Sequence, residues 1–197
     1  SFFDSAENLD SFVRRCDVII HLAALNRHND PEVIYQTNTG VVKSLIAALE
    51  RTGSRAHILF SSSSQEEHDN LYGKSKKEGR ELLNQWAEKS GGLFTGMIIP
   101  NVFGPFGNPY YNSVIATFCH QSSRHETPKI DVDVDMKLIY IGELVKVIME
   151  EIRSEGNNPG YKVPHTSECR VSSILSLLKG YKDQYLDNGV IPEINST

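Results

Sequence analysis

Runs of consecutive apolar residues alternate along the chain with segments whose apolar positions recur every three or four residues. CDVIIHLAA (16–24), AHILFSSSS (56–64) and LFTGMII (93–99) have strand length and few interrupting polar groups, the pattern of strands buried on both faces. Between them, residues 32–51 repeat apolar positions at 34, 41, 45, 46 and 49 and stop at Gly53. Residues 70–89 carry Leu71, Leu82, Leu83 and Trp86 and stop at Gly91-Gly92. Both read as amphipathic helices ended by glycine. A short helix over Asn8–Arg15, capped by Ser5 or Asn8, precedes the first strand. Helices around 112–122, 141–153 and 171–185 and short strands near 130–140 and 160–163 complete the expected order. Strands alternating with helices predict an α/β fold, a parallel sheet flanked by helices. In such sheets ligands bind beyond the C-terminal ends of the strands. HLAALNR, SSSSQ and PNVFGP each follow such an end.

The helix at 70–89 holds Tyr72 and Lys76 four positions apart, hence on one face. A phenol can give a proton to a developing alkoxide when a nearby ammonium lowers its pKa. The spacing alone also suits an exposed pair on an ordinary helix. The serines that end the preceding strand alter the balance, because Ser63 lies nine residues before Tyr72 and its hydroxyl could bond the same substrate oxygen. Asn38 falls within the apolar stripe of the 32–51 helix. A buried amide needs partners, and a satisfied core Asn and a ligand contact are both compatible with that position. Ala23-Ala24 after the first strand would let a flat ring approach closely, or simply pack.

Other constellations carry less. DVDVD (131–135) opens like a calcium loop but has Met136 and Gly142 where glycine and glutamate are required, so it reads as a half-exposed strand. Cys119, His120 and His125 lack zinc-ligand spacing, and no metal site is expected. The seven histidines form no Ser/His/Asp signature.

Composition narrows the classes. The 197 residues suffice for one domain with a sizeable core. A net charge of −5 without a Lys/Arg cluster argues against nucleic acid as partner. No apolar run approaches the roughly 20 residues of a membrane span, and SFFDSAENLD does not read as a signal peptide. Cys16, Cys119 and Cys169, odd in number and far apart, suit reduced thiols and a cytoplasmic protein.

In order, IIHLAA, an Asn on the next helix, FSSS at a strand end, YGKSK and PNVFGP resemble the extended short-chain dehydrogenase/reductases, the NAD-dependent epimerase/dehydratase family that acts on nucleotide sugars. HLAALNR, the short serine-to-tyrosine loop of SSSSQEEHDNLYGKSK, and PNVFG…NPYYNSVIATFC look like its reductase branch in capsular-polysaccharide and O-antigen synthesis. The resemblance implies a Rossmann-like fold. No GxxGxxG occurs in the chain, so the first strand–helix–strand unit is expected to be missing and cofactor binding to be weakened with it. Residues 1–105 are expected to form the partial nucleotide-binding domain. Residues 106–197 would supply the remaining sheet elements and a small C-terminal substrate-binding portion.

By the same resemblance Tyr72 is the catalytic acid, Lys76 the residue that holds the nicotinamide ribose, and Ser63 the hydroxyl that orients the substrate oxygen. Leu22, Ala23, Ala24, Asn38 and Pro100 fall at cofactor-lining positions, and Asn101 and Asn112 at positions that contact the nucleotide sugar. The implied activity is NADP(H)-dependent reduction, with NAD as the other candidate, of a 4-keto UDP-deoxy-amino-sugar, in a chain that could form a homodimer. Ser63-Ser64-Gln65 stands where the dehydratases carry Thr-Asp-Glu, which removes the carboxylates needed to eliminate water. An epimerase of the same superfamily and a non-catalytic remnant that binds a sugar nucleotide or a partner are the alternatives.

Overall fold

The computed structural model describes residues 5–154 and 156–190. In chain order the elements are α1 (Ala6–Val13), β1 (Val18–His21), α2 (Pro31–Thr52), β2 (His57–Ser63), α3 (Leu71–Ser90), β3 (Phe94–Ile99), β4 (Asn101–Phe103), α4 (Val114–Ser123), β5 (Asp135–Tyr140), α5 (Ile141–Arg153), β6 (Asn158–Lys162), β7 (Ser167–Arg170) and α6 (Val171–Tyr181). They divide into two units, each discontinuous in sequence. The first comes from the described parts of Ser1–Pro100 and Glu143–Pro164, the second from those of Asn101–Gly142 and His165–Thr197.

The first unit is a four-stranded Rossmann-like sheet in the order β1-β2-β3-β6, with every neighbouring pair parallel. Side chains alternate across the strands. Ile19, Ile58, Phe60 and Phe94 point to one face, where they pack with Leu9 and Val13 of α1, Val42, Leu45 and Leu49 of α2, and Leu83 and Trp86 of α3. Burying each such side chain contributes about 1.5–3 kcal/mol, which makes this interior the main hold on the strand ends. Thr95 faces the other way, and its hydroxyl donates to Glu151 of α5 at 3.4 Å.

Helix ends follow the capping residues. Ser5, not Asn8, caps α1, accepting the Asn8 amide on its Oγ at 3.4 Å. Asp30 caps α2 ahead of Pro31, and Asn70 caps α3. Gly53 and Gly91 end α2 and α3 at φ 64° and 71°, a left-handed conformation in which glycine avoids a steric penalty. The β1 ladder is shorter than the apolar run 16–24. Pairing stops at His21, and residues 22–28 leave the sheet.

The second unit is a three-stranded sheet, β4-β5-β7, parallel between β4 and β5 and antiparallel between β5 and β7. Phe118 of α4, Leu138 of β5, and Val171, Ile174 and Leu175 of α6 form its core. The half-exposed strand expected over 131–135 does not form. Only Asp135 enters β5, and Val132 and Val134 are exposed. The reason is local: Asp133 Oδ1 accepts the Ser172 amide at 2.9 Å and Asp133 pairs with Arg170, so the segment caps α6 instead of joining a ladder. The helix expected over 171–185 is α-helical only to Tyr181 and continues as a π-helical turn over Lys182–Asp187.

Candidate active site at the C-terminal edge of the parallel sheet

Because β1, β2 and β3 are parallel neighbours, their C-terminal ends meet at one edge. His21 is in register with Phe60, and Ser63 with Ile99, which Pro100 follows directly. The Ser61 hydroxyl donates to the His21 carbonyl at 3.1 Å and ties the β1 and β2 ends together.

Asn38 proves to be a buried clamp. Its Oδ1 accepts the Leu25 amide at 2.6 Å, and its Nδ2 donates to the Leu25 carbonyl at 3.1 Å. The backbone just beyond Leu22, Ala23 and Ala24 is thereby fixed from α2, while Leu22 itself stays exposed. Nδ2 also donates to Ser75 Oγ at 3.1 Å, and that hydroxyl donates to the Tyr72 carbonyl at 2.7 Å. One amide thus connects the loop after β1 with the first turn of α3. Ser75 is 1% exposed. It lies between Tyr72 and Lys76 in the sequence.

Close approach brings the serine turn onto α3. Ser63 ends β2, and its Oγ accepts the Gln65 amide at 3.2 Å, capping a 3-10 turn over Ser64–Glu67. Gly73 follows Tyr72, and a Cβ built there would stand 2.0 Å from the Gln65 carbonyl oxygen. Asn70 holds both sides, accepting the Gly73 amide at 2.7 Å and donating to Gln65 Oε1 at 3.2 Å. Tyr72, half-buried, therefore starts its helix against the turn that begins at Ser63.

Lys76, one helical turn after Tyr72, is 2% exposed, with Nζ 4.4 Å from the centroid of the Phe60 ring. Burial lowers its pKa to about 8, against the opposing pull of Glu66. Beside it the His21 ring is 4% exposed and stacks obliquely on Phe60 at 5.4 Å. Burial, and then the Lys76 charge, hold His21 near 4, so it is neutral at pH 7.

The linkage has a definite sign. The Lys76 pKa lies below its unfolded value of 10.5, so between about pH 8 and 10.5 the unfolded chain binds more protons. Stability is expected to rise with pH across that window, by about 3 kcal/mol in full. Urea unfolding of the wild type against Lys76→Met isolates the effect, since the apolar variant should lack this rise. Parallel slopes in the two proteins would contradict the buried charge.

The sequence-derived residues divide between the units. Ser63, Tyr72, Lys76, Leu22, Ala23, Ala24, Asn38 and Pro100 lie in the first unit around this edge. Asn101 and Asn112 lie in the second unit. There Asn101 is exposed on β4 and donates to the Lys137 carbonyl at 3.3 Å, and Asn112 is exposed ahead of α4. Among the described residues no group of His, Cys, Asp and Glu could hold a metal ion. Among them, too, no helix is long and apolar enough to cross a membrane.

A buried ammonium over an aromatic face, next to backbone fixed by an amide clamp, is a set of groups that fits the ribose and ring of a nicotinamide. The fit is confined to that end, because no glycine-rich turn joins a described strand to a described helix.

Comparison with known proteins agrees in fold and places the chain in a family. The profile of the NAD dependent epimerase/dehydratase family matches residues 3–162. A UDP-2-acetamido-2,6-beta-L-arabino-hexul-4-ose reductase of Pseudomonas aeruginosa is 35% identical over 155 residues, covering 78% of this chain and 42% of that protein. Among solved structures, the capsular polysaccharide assembling protein CapF from Staphylococcus aureus superposes with a TM-score of 0.77 at 31% identity. That match covers 95% of this chain and 50% of CapF. A UDP-glucose 4-epimerase from Thermotoga maritima superposes with a TM-score of 0.80 over 91% of this chain and 66% of its own. At 19% identity it speaks to the fold alone. The chain thus spans about half the length of CapF, and less than half that of the curated reductase.

Proposed function

The chain belongs to the NAD dependent epimerase/dehydratase family, and on that premise we propose that it carries the catalytic residues of an NADP(H)-dependent reductase of a 4-keto UDP-deoxy-amino-sugar. The observation that carries the reading is Lys76. A lysine only 2% exposed, one helical turn from a tyrosine that starts its helix against a serine turn, costs stability that a plain surface helix would not incur. The likeness to a keto-sugar reductase at 35% identity supports reduction over the other chemistries of the family.

In this reading Ser63 and Tyr72 bond the keto oxygen of the sugar, and Tyr72 gives it the proton as negative charge develops there. The Lys76 ammonium stabilises the phenolate left behind and donates to the ribose hydroxyls. The Asn38 clamp fixes the Leu22–Ala24 backbone as a wall for the ring. When bound, a reduced nicotinamide supplies the hydride to the carbonyl carbon.

Titration of the purified chain with NADPH, followed by fluorescence energy transfer from the single Trp86, tests the reading. Saturable binding below millimolar concentration is expected, tighter for NADPH than for NADH. Absence of binding at millimolar NADPH would leave the chain without catalysis of its own.

A further inference from the structure

The groups around Lys76 include a charged pair that the reaction itself does not call on. Glu66 lies in the 3-10 turn that follows Ser63, and Arg80 lies four residues after Lys76, on the α3 face that also carries Tyr72. Their side chains are 6% and 17% exposed. The guanidinium engages both carboxylate oxygens, Nε to Oε1 at 2.9 Å and Nη2 to Oε2 at 2.7 Å. This is the two-pronged geometry that gives an Arg–carboxylate pair its orientation. The Ser62 hydroxyl donates to Glu66 Oε1 as well, and Arg80 Nη1 donates to the Pro159 carbonyl of β6 at 2.9 Å. Gly96 on β3 makes room for this crossing, because a Cβ there would stand 2.5 Å from the Pro159 oxygen and 2.7 Å from Arg80 Cδ. One carboxylate therefore joins the end of β2, the serine turn and α3, and through Arg80 it reaches β6.

We propose that Glu66 is the positioning residue of this site, fixing the serine turn on α3 and supplying the negative charge that faces the buried Lys76 ammonium. Its catalytic consequence rests on the reductase reading; its physical content does not. The other groups around Lys76 cannot take that part. From β1 comes His21, neutral at pH 7, and from β2 the Phe60 ring. From α2 comes Asn38, an uncharged amide acting through Ser75. On α3 itself are Tyr72, a phenol, and Arg80, whose positive charge opposes a second one. Glu78, also on α3, pairs with Lys43 at 3.4 Å and accepts the Tyr35 hydroxyl. Ser62, whose hydroxyl donates to Glu66, lies two residues after Phe60 on the same face of β2, and Arg80 lies one helical turn after Lys76, so these contacts place the Glu66 carboxylate on the Lys76 side, where its charge favours the ammonium.

The test is the titration of Lys76 itself, read by NMR on the chain labelled with lysine [ε-13C] and without dinucleotide. Glu66→Gln should lower the Lys76 midpoint by about one pH unit, while Glu66→Asp, which keeps the charge, should hold it within about half a unit. If Glu66→Gln strands Arg80 and does not fold, Glu66→Gln/Arg80→Gln is compared with Arg80→Gln, both lacking the arginine charge, and the midpoint should be lower in the double variant. An unmoved midpoint in the folded variant overturns the proposal. So do equal falls in the Asp and Gln variants, which would trace the effect to packing and not to charge. The NADPH titration is independent of these outcomes. A chain that binds no dinucleotide but shows the Lys76 shift loses the catalytic reading and keeps this one.

Discussion

Tyr72→Phe is expected to lower turnover of a 4-keto UDP-sugar by roughly 10³-fold, within the range that a positioned general acid contributes. The substitution touches little else. Phe keeps the ring and loses only the hydroxyl. The Tyr72 backbone carbonyl still accepts the Ser75 hydroxyl, so the Ser75–Asn38–Leu25 chain of bonds that fixes the loop after β1 stays intact. NADPH affinity should therefore stay within about twofold and unfolding stability within about 1 kcal/mol. The loss should fall on kcat, as for an interaction made only in the transition state. Lys76 adds a pH signature. With its pKa near 8, the ammonium is lost as pH rises through that value, and wild-type turnover should decline above about pH 8. Steady-state kinetics beside fluorescence titration reads both quantities. Turnover retained in Tyr72→Phe would remove the tyrosine from its role.

What the sequence showed and what it hid separate along physical lines. The three buried parallel strands and the two long helices were legible because a buried strand is apolar throughout and an amphipathic helix repeats its pattern. Gly53 and Gly91 marked helix ends through their tolerance of positive φ. β4 and β7 were hidden, since three and four residues with mostly exposed side chains show no alternation. DVDVD did alternate, yet Asp133 is taken as a helix cap, a tertiary demand that periodicity does not record.

In the site, the positions of Tyr72, Lys76 and Ser63 could be guessed from spacing and resemblance. The role of Asn38 could not. Both readings of it were open, and its partners turn out to be the Leu25 backbone and Ser75, which no local pattern connects. Glu66 and Arg80 were invisible for the same reason. A carboxylate in a polar turn and an arginine on a helix look like solvated surface until folding buries them together.

Gly73→Ala is expected to damage this site more than any other single-methyl change, and the reason is what its Cβ would meet. The atom would stand 2.0 Å from the Gln65 carbonyl oxygen, 2.7 Å from the Gln65 carbonyl carbon and 3.3 Å from the Glu66 nitrogen. All three are backbone, so no side chain can rotate aside. Either the serine turn lifts from α3 or the first turn of α3 unwinds. Lifting pulls Ser63 away from Tyr72 and strains the Glu66–Arg80 pair. Unwinding breaks the Asn70 cap on the Gly73 amide.

Overpacking of this kind costs about 1–3 kcal/mol, and a displacement of about 1 Å between reacting groups costs roughly 10²-fold in rate. Gly79→Ala on the same helix is the control. Its Cβ would meet Phe60 Cζ at 3.0 Å and Val42 Cγ2 at 3.2 Å, side-chain atoms that can yield by a few tenths of an ångström. Urea unfolding and turnover of the two variants should therefore separate, with Gly73→Ala losing stability and rate together and Gly79→Ala losing little of either. Equal behaviour would mean that contact between the serine turn and α3 does not set the geometry of Ser63 and Tyr72. The arrangement of the acid would then have to come from elsewhere in the chain.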